Sequence, residues 1–172
     1  HDDIINCRKR YLVCKGSRGS GKTTTVFRMI IMRMLWYWNV HKICPSVLVM
    51  RQWACTHNNS TFIEVQKAID ALNVNHLFKK TKSPMMYIHI PSGAQIIFKG
   101  MDDAMKITGV NANTPLTWIV CEESFEIKSE DEFDRLNMSI RGIIPDCLFY
   151  QTIMMFNPWS DKHWLKKRFF DT

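Results

Sequence analysis

Cysteine pairs and histidine pairs with metal-binding spacing are both missing: the 172 residues contain no Cys-x-x-Cys and no His-x-x-x-His, which excludes a structural zinc module. Long apolar runs are scarce too. The most hydrophobic window, residues 26–40, carries Arg28 and Arg33 and is shorter than a bilayer requires, so it reads as a buried helix rather than a membrane span. There is no internal repeat, low-complexity tract or linker, so neither a solenoid nor a second complete domain is expected. An initiator methionine and an apolar leader are absent as well. The opening His1-Asp2-Asp3 suggests a piece of a longer protein, and any targeting signal would have been lost with the rest.

What is present suits one domain over residues 1–172, with 46% hydrophobic and 12% aromatic content, ample for a core. Cys14 and Cys121 lie within apolar runs, where a free thiol is a small hydrophobe, so a reducing, cytoplasmic compartment is expected. The tryptophans read as core or interface residues, and the scattered histidines suggest no catalytic role. A net charge of +7 and the clusters Arg8-Lys9-Arg10, Lys79-Lys80-Lys82 and Lys166-Lys167-Arg168 would attract a polyanion such as nucleic acid. The same clusters also read as solvated faces, and none has the interleaved aromatics of a base-stacking platform.

The most specific signal is Gly16-Ser17-Arg18-Gly19-Ser20-Gly21-Lys22-Thr23, a full match to the P-loop pattern G-x-x-x-x-G-K-[ST]. Its glycines let backbone N–H groups curl around an anion. Lys22 supplies a charge for the outer phosphates and Thr23 a hydroxyl for Mg²⁺, while the helix beginning here, with Thr24 next, aims its positive end at the same point. The setting agrees with the motif, because Tyr11-Leu12-Val13-Cys14 reads as a strand before the loop and residues 24–38 as a helix after it.

Further along, Ser46-Val47-Leu48-Val49-Met50 predicts a buried parallel strand, and Phe62, Val65, Ile69 and Leu72 predict a helix over 58–72. Residues 86–90 and 94–99 around Pro91-Ser92-Gly93 predict a hairpin, the one antiparallel insertion expected. Thr117-Trp118-Ile119-Val120-Cys121 predicts a third buried strand. A helix from Ser129 bearing Phe133, Leu136 and Ile140, a fourth strand over 148–155 and a helix over 162–170 complete the chain. The alternation is that of an α/β fold: a P-loop NTPase with a mainly parallel central sheet flanked by helices.

Hydrolysis needs an acid to anchor the metal and a group to direct water at the γ-phosphate. Glu122-Glu123 fits both needs, since it follows an apolar strand at the end where α/β sheets place ligand chemistry. Glu122 would hold Mg²⁺ through water, and Glu123 would orient and deprotonate the attacking water. Such a pair alone opens many solvated helices; downstream of a P-loop the catalytic reading takes over. Asn157, at the end of the fourth strand in Phe156-Asn157-Pro158, is either a γ-phosphate sensor or a plain turn.

In this order the motifs resemble the ATPase domain of bacteriophage terminase large subunits, the motors that pump DNA into procapsids. The likeness covers nearly the whole chain. It rests on the arginine-bearing P-loop, Val-Leu-Val-Met-Arg, Ile-Pro-Ser-Gly-Ala-Gln-Ile-Ile-Phe-Lys-Gly-Met-Asp-Asp, Trp-Ile-Val-Cys-Glu-Glu and Phe-Asn-Pro-Trp-Ser-Asp-Lys-His-Trp-Leu. The resemblance implies a sheet with an additional strand between the P-loop strand and the Glu-Glu strand. It implies Glu122 as the metal residue, Glu123 as the catalytic glutamate, Arg18 near the γ-phosphate, Asn157 in the coupling motif, and a role of uncertain kind for Arg51. It also implies double-stranded DNA, a portal protein and a small terminase subunit as partners, and a ring, usually pentameric, working in the host cytoplasm.

Two departures stand out. Many members have Asp where Glu122 stands, and the segment Met105-Lys106-Ile107-Thr108-Gly109-Val110 lacks the trans-acting arginine often found before the acidic strand. Lys106 is the candidate replacement, although a lysine cannot make the forked contact of an arginine. The family's carboxyl-terminal nuclease domain would not fit in this length, so no DNA cleavage is expected of this polypeptide. The competing readings are another P-loop enzyme such as a nucleotide kinase, and a non-catalytic, nucleotide-switched binding module.

Overall fold

The computed structural model describes residues 2–101, 112–138, 140–157 and 162–171. Among these, strands β1 (Tyr11–Lys15), β2 (Ser46–Arg51), β3 (Phe78–Lys82), β4 (Met85–His89), β5 (Gln95–Gly100), β6 (Leu116–Glu122) and β7 (Gln151–Phe156) form one sheet. Their order is β1-β7-β6-β2-β5-β4-β3. The pairings from β1 through β5 are parallel, and those of β5 with β4 and β4 with β3 are antiparallel.

β2, β6 and β7 are almost wholly buried, with apolar centres, because helices cover both faces of the sheet. Alternate residues then go to opposite sides. On one side Val47, Val49, Trp118, Val120, Ile153 and Met155 meet helices α2 (Lys22–His41) and α3 (Thr61–Ala71). On the other, Leu48, Met50, Ile119, Cys121 and Met154 pack with Phe133 and Leu136 of α4 (Glu130–Met138) and Leu165 of α5 (Trp164–Phe169). A short helix, α1 (Asp2–Asn6), precedes β1. Its connection is tied down by Arg33 of α2, which donates to the carbonyls of Ile5 (2.8 Å) and Cys7 (2.7 Å) and to Gln151 Oε1 (2.8 Å). Burial pushes the Cys121 thiol up to about 12, so it serves as a small hydrophobe, as expected. No helix among the described residues is long and apolar enough to cross a membrane.

The additional strand is β7, which separates the P-loop strand β1 from the acidic strand β6. Lys15 pairs with Phe156, Glu122 with Met155 and Met50 with Cys121, so four parallel strands end together on one edge of the sheet.

Several expectations need correction. The hairpin is not the one antiparallel element, because β3 adds a further strand beyond β4. Its sequence, Phe-Lys-Lys-Thr-Lys, lacks apolar alternation, since only Phe78 is buried while Lys79, Lys80 and Lys82 are exposed on the edge. Lysines there discourage pairing with another chain. The predicted helix over 58–72 splits into a 3₁₀ turn, Ala54–Asn59, and α3, with the break at Ser60. Ile140 is buried but lies beyond the end of α4. Of the core-or-interface reading of the tryptophans, the core half holds for the buried Trp118 and does not hold for Trp36 and Trp53, at 45% and 51% exposure.

Candidate nucleotide-binding site

The loop between β1 and α2 wraps on itself. Gly21 has φ +76, a left-handed conformation that L side chains rarely adopt, and it turns the chain into the helix. Gly16 serves a different need: a Cβ there would lie 3.1 Å from Ser20 Oγ and 3.6 Å from Lys22 Nζ. The missing side chain lets Lys22 fold back over the loop. Its ammonium donates to the carbonyls of Gly16 (2.8 Å) and Ser17 (2.9 Å), to Ser20 Oγ (3.1 Å) and to Asn157 Oδ1 (3.1 Å). Asn157 directly follows β7, and Gly16 N–H donates to the Phe156 carbonyl at 3.3 Å, so loop and strand end are joined.

Glu122, the last residue of β6, meets the loop. Thr23 Oγ1 donates to its Oε1 at 3.3 Å, and its Oε2 lies 3.5 Å from Arg51 Nε. The carboxylate is 13% exposed, and Oε2 is buried with no hydrogen-bond partner. Desolvation raises the Glu122 pKa, with Arg51 and the Thr23 hydroxyl opposing and Glu123 adding to the rise. A buried carboxylate whose Oε1 meets a threonine hydroxyl, and whose Oε2 faces a guanidinium without a hydrogen bond, suits a hard cation such as Mg²⁺. Among the described residues no group of three or more His, Cys, Asp or Glu could hold a metal. Mg²⁺ commonly retains several waters and is held by one or two carboxylates together with substrate phosphates.

Glu123 leaves the strand with φ 52 and ψ 47, a left-handed conformation uncommon for a residue with a side chain. The kink is clamped by the buried Ser124 hydroxyl, which donates to the Cys121 carbonyl at 2.8 Å, and it leads into a 3₁₀ turn, Ser124–Glu126. Strain of this kind, roughly 1–3 kcal/mol, gathers at functional sites. Here it brings Glu122 and Glu123 to the wall of one cleft.

That cleft has a volume of about 480 Å³ and is lined by Arg18, Gly19, Ser20, Gly21, Lys22, Thr23 and Thr24 on one side and by Glu122, Glu123 and Asn157 on the other. Two lining residues, Ser60 and Glu64, carry no motif. Glu64 Oε2 accepts from Thr24 Oγ1 at 3.1 Å, and Ser60 Oγ accepts from Arg51 Nη1 at 2.8 Å. The apolar spacing of α3 identifies its buried face and says nothing of its polar one; an acid in its first turn was the one available signal. Lys106 lies outside the described residues, as do 158–161 of the Asn-Pro segment.

A P-loop joining an edge strand to a helix, with an acid two strands away across an inserted strand, defines a P-loop NTPase of the additional-strand type. The family model for phage terminase large subunits matches residues 8–172, and the chain belongs to that family. It is 36% identical over 161 residues to the terminase large subunit of Bacillus phage SPP1, covering 91% of this chain and 36% of that protein. The fold is similar to that of a large terminase from a thermophilic bacteriophage, with TM-score 0.71 and 13% identity, covering 98% of this chain and 41% of the other. It is also similar to the N-terminal domain of the DNA packaging ATPase from bacteriophage phi29, with TM-score 0.68 and 14% identity over 98% of this chain and 83% of that one. This chain thus spans well under half the length of the SPP1 protein and of the thermophilic phage terminase.

Proposed function

We propose that residues 1–172 are the ATPase domain of a DNA-packaging motor, hydrolysing ATP to move double-stranded viral DNA into a procapsid. The observation that carries this is the 3.3 Å contact between Thr23 and Glu122, which closes the P-loop against the acidic strand end in one cleft. The burial of the Glu122 carboxylate at that contact and the family membership support it.

In this reading the backbone N–H groups of residues 16–24 and the Lys22 ammonium bind the phosphates, and Arg18 approaches the γ-phosphate from the loop. Thr23 and Glu122 would hold Mg²⁺, which when bound would neutralise charge on the phosphate oxygens. Glu123 orients a water and accepts its proton as the water oxygen bonds to the γ-phosphorus and the bond to the ADP oxygen breaks. Asn157 releases Lys22 to the phosphate and so carries occupancy into β7. The motor acts in the host cytoplasm as a ring of this subunit, usually a pentamer, with a portal protein and a small terminase subunit as partners. Lys106 is the candidate for a residue completing a neighbour's site.

The test is phosphate release from Mg-ATP by the purified protein, over a range of protein concentrations, with and without duplex DNA. Slow release that rises with DNA and with protein concentration is expected. Absence of release under every condition, or transfer of the phosphoryl group to an added nucleoside monophosphate instead of water, would overturn the reading.

A further inference from the structure

Arg51 is the last residue of β2, one position beyond the Met50–Cys121 pair that aligns β2 with β6, and its side chain is 15% exposed. Two of its nitrogens point at different elements. Nη1 donates to Ser60 Oγ at 2.8 Å, and Ser60 Oγ in turn donates to the Thr56 carbonyl at 2.7 Å, which fixes the guanidinium to the break between the 3₁₀ turn and α3. Nε faces Glu122 Oε2 at 3.5 Å. Both of those atoms are buried and make no hydrogen bond, a pair of orphans facing one another at slightly more than bonding distance. The other oxygen of the same carboxylate is engaged by Thr23.

We infer that Arg51 is a positioning residue: anchored on Ser60, it orients the Glu122 carboxylate toward the cation accompanying the nucleotide, and it ties that carboxylate to the start of α3. The inference rests on the proposed nucleotide reading of the cleft. A guanidinium can serve Ser60 and Glu122 together because its donors are arranged in a rigid fork; a lysine offers the charge from a single point. Ser60 itself lines the cleft, so a shift of Glu122 on metal binding would be felt at the first residues of α3 without crossing the core.

The test compares affinity for ATP-γ-S with and without Mg²⁺ in the wild type and in Arg51→Gln, Arg51→Lys and Ser60→Ala, with thermal melting as the check on folding. A residue that orients the metal-holding acid affects only the gain in affinity that Mg²⁺ provides. In Arg51→Gln we expect affinity in EDTA to stay within about twofold of wild type while the Mg²⁺-dependent gain falls about tenfold. Arg51→Lys should recover part of that gain, and Ser60→Ala, which removes the anchor and keeps the charge, should lose about threefold. A full Mg²⁺ gain in folded Arg51→Gln overturns the inference, as does an equal loss with and without the metal. If Arg51→Gln fails to fold, Ser60→Ala decides: an undiminished gain there overturns the inference as well. Wild-type protein that binds no nucleotide in either condition would refute the reading of the cleft itself, a result distinct from a wild-type gain that Arg51→Gln retains.

Discussion

The Lys22 ammonium and the Asn157 side-chain oxygen lie 3.1 Å apart although the residues are separated by 135 positions. The contact joins the P-loop to the tip of the strand inserted between β1 and β6. Lys22 is saturated here by four neutral acceptors, so a polyphosphate bound as proposed would have to take the ammonium from some of them. Asn157 is the one acceptor outside the loop, and its release is how the end of β7 would register the phosphate.

This exchange makes a prediction about charge at position 157. Asn157→Asp replaces a neutral acceptor with a charged one, roughly doubling the strength of the bond that phosphate must break and adding a negative charge beside it. ATP affinity should fall about tenfold, whereas Asn157→Ala, which frees Lys22, should stay within about threefold of wild type. Titration with a fluorescent ATP analogue reads both. Equal affinity for Asn157→Asp and wild type would mean that Lys22 does not change partners.

The sheet itself should be sensitive at its centre. Ile153 of β7 is fully buried and packs on the α2 side of the core, where truncation leaves a cavity. Ile153→Ala should lower unfolding free energy by about 2–5 kcal/mol, read from urea denaturation. That is a large part of the roughly 5–15 kcal/mol typical of a domain. A change below about 1 kcal/mol would contradict the packing described.

His89 should make stability depend on pH. It is fully buried between Trp38 and Phe78, its Nδ1 lies 2.7 Å from Ser92 Oγ, and its Nε2 has no hydrogen-bond partner. Desolvation lowers its pKa, so the folded chain resists the proton that the unfolded chain accepts. Above the free imidazole value of about 6.5 neither state is protonated and the His89 contribution is present in full. As pH falls below that value stability is lost, until the depressed folded pKa is reached, by about 1.4 kcal/mol for each unit of separation. Urea midpoints at pH 7.5 and pH 5 should therefore differ less in His89→Asn than in wild type. An identical difference in the two proteins would refute the contribution.

How much of this could be read from residues alone varied with the range of the interaction. The P-loop was legible because its conformational demands fall on eight consecutive residues, and β2, β6 and β7 because strands covered on both faces must be continuously apolar. Glu122 and Glu123 were legible as a pair at a strand end; the left-handed kink that brings Glu123 to the cleft was not. β3 was hidden because an edge strand with one buried residue needs no apolar alternation. The Thr24–Glu64 and Arg51–Glu122 contacts were hidden for a different reason: they depend on which strands and helices become neighbours, and that is set by sheet order rather than by local pattern.

The most direct test replaces the residue assigned to water activation. In single-turnover reactions with Mg-ATP, Glu123→Gln should bind ATP with an affinity within about threefold of wild type and release phosphate at least about a hundredfold more slowly, since the amide keeps the shape and loses the base. Phosphate release at the wild-type rate from Glu123→Gln would contradict the shared site of P-loop and acidic strand end on which the motor reading stands.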